Sequence, residues 1–219
     1  MKIIKTTVFD ICKKYGYDWR KIDNLDKFCF SLNFTDIDHN SDYSKNISDD
    51  NTIDVDLSNI ILPEGKCILD YNISSSSIRN VILPKGDYTN IELNKFYFKH
   101  VEFIDGSILP KNFFRQIASK KTNIITPVLD LNDFDFNEFT DISNIIFNNN
   151  TILPKDSNFF SNLIPSNSEF MLRGYQSDYN KIKDVRFPKG DYSNYKFNNI
   201  RFDNVEFTSD SKLPKDFFY

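Results

Sequence analysis

The sequence predicts a mainly-β fold: a short β-solenoid with a helical cap at its N-terminus and short helices between blocks of repeats. Three observations predict it. Val185–Phe218, VRFPKGDYSNYKFNNIRFDNVEFTSDSKLPKDFF, repeats Val81–Phe114, VILPKGDYTNIELNKFYFKHVEFIDGSILPKNFF, at an offset of 104 residues, with 18 of 34 positions identical and no gap. Within each copy, apolar residues recur every five positions. Six of the eight prolines follow Leu or Phe, most of them at matching places in the repeats.

The first fifty residues stand apart from the repeats. Val8, Ile11, Cys12 and Tyr15 form a helical stripe that begins near Thr6 or Thr7 and ends at Gly16. Trp19, Ile22 and Leu25 continue as a second short helix, and KFCFSLNFTDI alternates as a strand. An Asp-rich loop follows. Stacked coils have raw ends, so this region, 1–50, is expected to cap the solenoid.

Three blocks come next: 51–121, 122–165 and 166–219. In the first, Leu83, Tyr88, Leu93, Phe98 and Phe103 step by five, each preceded two residues earlier by Val81, Gly86, Ile91, Phe96 or Val101. Ile73, Ile78, Val55/Leu57 and Ile60/Leu62 extend the pattern backward. The last block matches it with Phe187, Tyr192, Phe197, Phe202 and Phe207, behind Val185, Gly190, Tyr195, Ile200 and Val205. In the middle block Leu129/Leu131 and Phe134/Phe136 keep the step. A slip near Phe139 shifts the phase before Ile145/Phe147, and Ile145–Phe160, IIFNNNTILPKDSNFF, forms a weaker third copy. A flat strand has period two and a helix 3.6, so a period of five with two inward positions means a chain that turns at every unit and stacks coil on coil.

Proline lacks an N–H and has a fixed φ, which suits corners and not central rungs. Gly86 and Gly190 in PKGDY are expected where φ is positive or where backbone passes close by. After LPK, Phe113, Phe114, Ile117 and Ala118 line one face of a short helix with Asn112 as its N-cap. Phe159, Phe160, Leu163 and Ile164 repeat that spacing behind Ser157 or Asn158. Phe217 and Phe218 stand where a third such helix would begin.

YKFNNIRFDNVEF resembles the pentapeptide-repeat proteins. The resemblance implies a right-handed, four-sided β-helix built from pentapeptide-like repeats over about half of the chain. Leu93, Phe98 and Phe103, like Phe197, Phe202 and Phe207, match the Leu or Phe at the centre of each five. Ile, Val, Phe and Tyr two positions earlier depart from the small residue usual there, so a looser coil is expected, with Phe96 crowding it. Some members of that family imitate DNA, and related solenoids form substrate-binding parts of effector ubiquitin ligases. A four-sided coil uses about twenty residues, so each uninterrupted run gives at most two coils, a short rod for DNA mimicry.

Chemistry is sparse. The net charge of −4 indicates no direct nucleic-acid binding, and no apolar run is long enough to span a membrane. The start, MKIIKTTVFD, lacks a signal peptide's apolar stretch, so a cytoplasmic setting is expected, including that of a host cell. Cys12, Cys29 and Cys67 lack metal-ligand spacing and read as reduced buried thiols. His100 reads as an exposed side chain. A Cys–His pair joining His39 to Cys29 or Cys67 is the weakest reading. No phosphate loop, nucleophile elbow or zinc motif occurs, so no enzyme, cofactor or metal is expected.

The distinctive polar feature is acidic. Asp36, Asp38, Asp42, Asp49, Asp50, Asp54 and Asp56 cluster around the start of the first block, and Asp130, Asp133, Asp135 and Glu138, with Asp141, in the middle one. Calcium-loop spacing is absent. These residues are either a solvated loop or a docking patch for a protein partner, such as a basic nucleic-acid-binding protein. The functional expectation is a non-enzymatic binding module: a phage-encoded inhibitor of a host nuclease or defence system, or a bacterial effector.

Overall fold

A computed structural model describes residues 55–71, 73, 76–118, 120–136, 140–160, 163, 181–197 and 200–217. The fold is mainly β, a parallel β-solenoid with few helices. The chain divides into two compact units, Met1–Leu109 and Pro110–Tyr219. The expected cap and its strand, 1–50, lie outside the described residues.

In the first unit, β1 (Val55–Asp56), β2 (Ser77–Leu83) and β3 (Tyr97–Phe103) pair in parallel. Ile78 stands opposite Phe98, Val81 opposite Val101, and Leu83 opposite Phe103, a step of 20 residues per turn, or four units of five. A second column of backbone bonds closes each turn on another side. There Asp87 N donates to Lys66 O at 2.9 Å, and Tyr88 N to Ile108 O at 2.8 Å. A coil whose polar backbone groups bond to the turns above and below needs no wide sheet to satisfy them.

The five-residue period has a local cause. Asn80 and His100, each at φ 52°, adopt the left-handed conformation in mid-strand and bend it. The bend breaks simple alternation. Ile78 points inward, then Val81 three residues on, then Leu83 two further. Three plus two makes five. Asn, Asp and His tolerate this region better than other non-glycine residues.

The second unit repeats the device. Its strands are β4 (Lys121–Ile125), β5 (Ile145–Ile146), β6 (Lys181–Phe187) and β7 (Arg201–Phe207), with β4–β5, β5–β6 and β6–β7 parallel. Asn123, Asn144, Asp184 and Asn204 are left-handed, at φ 51°, 61°, 54° and 51°. Each precedes an inward Val or Ile: Ile124, Ile145, Val185 and Val205. The β6–β7 register is again 20 residues, with Val185 opposite Val205 and Phe187 opposite Phe207.

Most described central positions of the five-residue pattern are interior. Leu83, Tyr88, Leu93, Phe98 and Phe103 are buried, as are Leu131, Phe147, Phe187 and Tyr192. In the second unit the rings form a continuous pile. Phe147 stacks on Phe187 at 6.1 Å and 8°, and Phe187 on Phe207 at 5.1 Å and 25°. Burying one such ring contributes about 1.5–3 kcal/mol. Phe217 packs on Phe197, Phe202 and Phe207, which are only half-buried.

The expectation of two inward positions in every unit needs correction. At the bent strands both are inward. At Ile91, Phe96 and Tyr195 the earlier residue is half-exposed, because the chain makes a tight turn there, such as the 3-10 turn Leu93–Lys95. Phe96 therefore lies partly outside the coil instead of crowding it.

Gly86 and Gly190 are not left-handed; among the described glycines Gly65 and Gly106 are. Close approach explains the other two. A Cβ on Gly86 would lie 2.7 Å from Cys67 Cβ and 2.8 Å from its Cα. The following tyrosines, fully buried, donate their hydroxyls to proline carbonyls four residues back. Tyr88 reaches Pro84 at 2.9 Å and Tyr192 reaches Pro188 at 2.7 Å.

Helix α1 (Phe113–Ile117) forms where its apolar spacing predicts, with Phe113, Phe114 and Ile117 buried. Asn112 occupies the N-cap position, but its side chain accepts from Gln116 Nε2 at 2.8 Å instead of capping. At the matching place Phe159, Phe160 and Leu163 are buried, while most of the helix expected after Phe159 lies outside the described residues.

Candidate functional site

Side chains that do not enter the coil are set out in columns, one residue per turn. The acidic candidates separate into two kinds on these columns. Asp56 Oδ1 accepts the Ser58 amide at 3.0 Å, and Asp130 Oδ1 accepts the Asn132 amide at 2.9 Å and its Nδ2 at 2.6 Å. Asp87 and Asp191 do the same with Thr89 and Ser193. These carboxylates build turns. The hydrogen bonds from Asn132 hold Asp130 below the usual carboxylate range, and those from Thr89 and Ser193 do so for Asp87 and Asp191. Asp133 and Asp135 are exposed. Asp36, Asp38, Asp42, Asp49, Asp50, Asp54 and Glu138 lie outside the described residues.

The outward surface of β6, β7 and the segments that follow them carries both signs, paired between successive turns. Lys181 meets Asp203 at 2.7 Å, Arg186 meets Glu206 at 2.8 Å, Lys189 meets Asp210 at 3.2 Å, and Lys212 meets Asp191 at 3.4 Å. The Lys181 ammonium lowers the Asp203 carboxyl through a hydrogen bond and its charge. Exposed pairs of this kind add little stability each, but they cancel the local field.

Among the described residues one ion pair is interior. Lys121 Nζ donates to Asp141 O at 2.8 Å and to Ala118 O at 3.3 Å, with Asp141 Oδ2 at 3.6 Å. Burial pushes the Lys121 ammonium down, and Asp141 opposes that shift. Two backbone carbonyls and a carboxylate satisfy this amine, so it fastens β4 to the turn before β5.

The two conventional catalytic candidates among the described residues, His100 and Cys67, have structural settings. His100 is half-buried, not an exposed ornament: it makes the β3 bend, and its Nδ1 lies 3.2 Å from Asn80 Oδ1 on the neighbouring turn. The repeated Asn, Asp or His before an inward Val or Ile was the available signal for this role. Cys67 is a buried thiol, pushed by burial up to about 12, the opposite of an activated nucleophile. Cys12, Cys29 and His39 lie outside the described residues. Among the described residues no group of three His, Cys, Asp or Glu could hold a metal, and no helix is long and apolar enough to cross a membrane. No family model, curated protein or solved structure matches the chain.

Proposed function

We propose that this chain is a non-enzymatic interaction module that binds a larger macromolecule, and so inhibits or recruits it inside a cell. The observation that carries the reading is the 20-residue register, which fixes outward side chains in rows on a rigid backbone. The same register equals four units of five and favours a divergent pentapeptide-repeat coil, right-handed and four-sided. An inhibitor encoded by a phage against a host nuclease or defence system, or a bacterial effector, would use such a surface. The substrate-binding part of a larger effector would use it equally. Paired opposite charges along β6–β7 favour a mixed recognition surface over a DNA-like strip of negative charge.

The partner-binding role of the acidic residues is tested by quantitative capture of a candidate partner. Asp133→Asn with Asp135→Asn is the informative variant, because neither side chain builds a turn. Asp49, Asp50, Asp54 and Asp56 changed together to Asn test the upstream cluster. Loss of affinity, greatest at low salt, is expected from one or both. Unchanged affinity and salt dependence in both would remove the acidic surface from the proposal. Loss of activity with binding intact in His39→Ala or Cys67→Ala would replace the binding module with an enzyme.

A further inference from the structure

We propose that Arg79, Lys99 and the Tyr97 ring form a docking site for a carboxylate-bearing peptide segment of a protein partner. Arg79 on β2 stands directly opposite Lys99 on β3. Adjacent parallel strands are about 4.8 Å apart, so two like-charged side chains rise from neighbouring rungs, an arrangement that costs stability. Neither cation is ion-paired among the described residues. The matching place in the second unit is built the other way, with Lys183 opposite Asp203.

The arginine is already posed. Its Nε donates to Ser77 Oγ at 2.7 Å, and its guanidinium carbon lies 5.8 Å from the centre of the Tyr97 ring. The terminal amino groups remain to grip a planar carboxylate in two-pronged fashion, and little side-chain freedom is lost when they do. Tyr97, beside them, is 39% exposed and offers an apolar wall. A carboxylate is the compact anion suited to two cations rooted on neighbouring rungs. A nucleic acid or anionic membrane needs a broad basic field, and this chain is net negative, −4. The chemistry is opposite to the acidic surface proposed above, so either can fail without the other.

The test is fluorescence anisotropy of a labelled hexaglutamate peptide with the full chain. Binding at low salt is expected, weakened about tenfold in Arg79→Gln/Lys99→Gln and unchanged in the control Lys183→Gln/Lys189→Gln. The urea midpoint of the double variant should stay level or rise, since a repulsion is removed. Four results would overturn the proposal: no peptide binding by the wild type, equal binding by the double variant, equal loss in the control, or a lowered midpoint showing the pair to be structural. Inorganic phosphate and phosphatidylserine vesicles are run alongside. If they bind in an Arg79- and Lys99-dependent way while the peptide does not, the site belongs to phosphate or membrane and the peptide assignment falls.

Discussion

Gly86→Ala is the sharpest test of how closely the turns approach. The added methyl would sit 2.7 Å from Cys67 Cβ, 2.8 Å from Cys67 Cα and 3.0 Å from Lys66 O. Ordinary carbon contacts lie near 3.5–4.0 Å, so the two turns must part by most of an ångström. They are tied at that point. Asp87 N donates to Lys66 O at 2.9 Å, and on the other side Gly86 O accepts from Ile108 N of the next turn at 2.9 Å, which limits how far Gly86 can retreat. Overpacking of about 1–3 kcal/mol and one weakened hydrogen bond worth about 1 kcal/mol give a loss of about 2–4 kcal/mol. With a urea slope of about 2 kcal/mol per molar, the midpoint should fall by about 1–2 M. Two companion variants isolate the cause. Gly190→Ala meets Leu153 Cδ1 at 2.5 Å, the end of a side chain that can swing away, and should cost less. Gly65→Ala has φ +70° and nothing within 4 Å, so only left-handed strain applies, about 1 kcal/mol. If Gly86→Ala unfolds no earlier than Gly65→Ala, the close-approach argument is wrong.

Three further outcomes are expected. Tyr88→Phe and Tyr192→Phe each leave a proline carbonyl without its donor and should lower stability by about 1–2 kcal/mol in equilibrium unfolding, with far-ultraviolet spectra unchanged. Asn144→Val forces a β-branched residue to φ 61° and should cost about 1–3 kcal/mol, while Asn144→Gly should be tolerated. Equal midpoints for the two would refute the bend assignment. Stability should also depend on alkaline pH. The Cys67 thiol is raised from 9.0 to about 12 in the folded chain, so its stabilising contribution is complete below pH 9 and is lost as pH rises toward 12. The Tyr88 hydroxyl, also raised by burial, adds to the fall above 10. Lys121, lowered by burial, acts in the opposite sense, so Lys121→Met should steepen the alkaline decline and Cys67→Val should flatten its first part. Unfolding midpoints measured across pH 8–11 read both.

The residues that point into the coil were legible because they repeat: Leu83 through Phe103 and Phe187 with Tyr192 announce themselves by size and spacing. The bend was harder to see. Asn80, His100 and Asp184 are polar and half-exposed, and a polar residue between apolar ones reads as an ordinary outward position. Only a backbone angle distinguishes it. Asp56 and Asp130 misled in a related way. As letters they are charges in an acidic cluster, whereas in the fold each carboxylate is committed to an amide two residues on. The pairing of Lys181 with Asp203, or of Arg79 with Lys99, spans about twenty residues and becomes apparent only once the register is known. Ile91 and Phe96 show the limit of a strict period. Tight turns and bent strands share the same five-residue count but bury different residues.

The constant step between β2 and β3 has a consequence for how such a chain can change its length. Excising residues 82–101 would splice Val81 to Glu102, so that bend asparagine, inward valine and inward phenylalanine still follow one another in order. Losing one residue more or fewer would put every following residue one position, a twentieth of a turn, out of step with the turn below, and the inward rings would no longer meet inward neighbours. Descendants of this gene should therefore gain or shed material in whole turns, and a screen of random deletions for retained solubility would show survivors clustered at that interval.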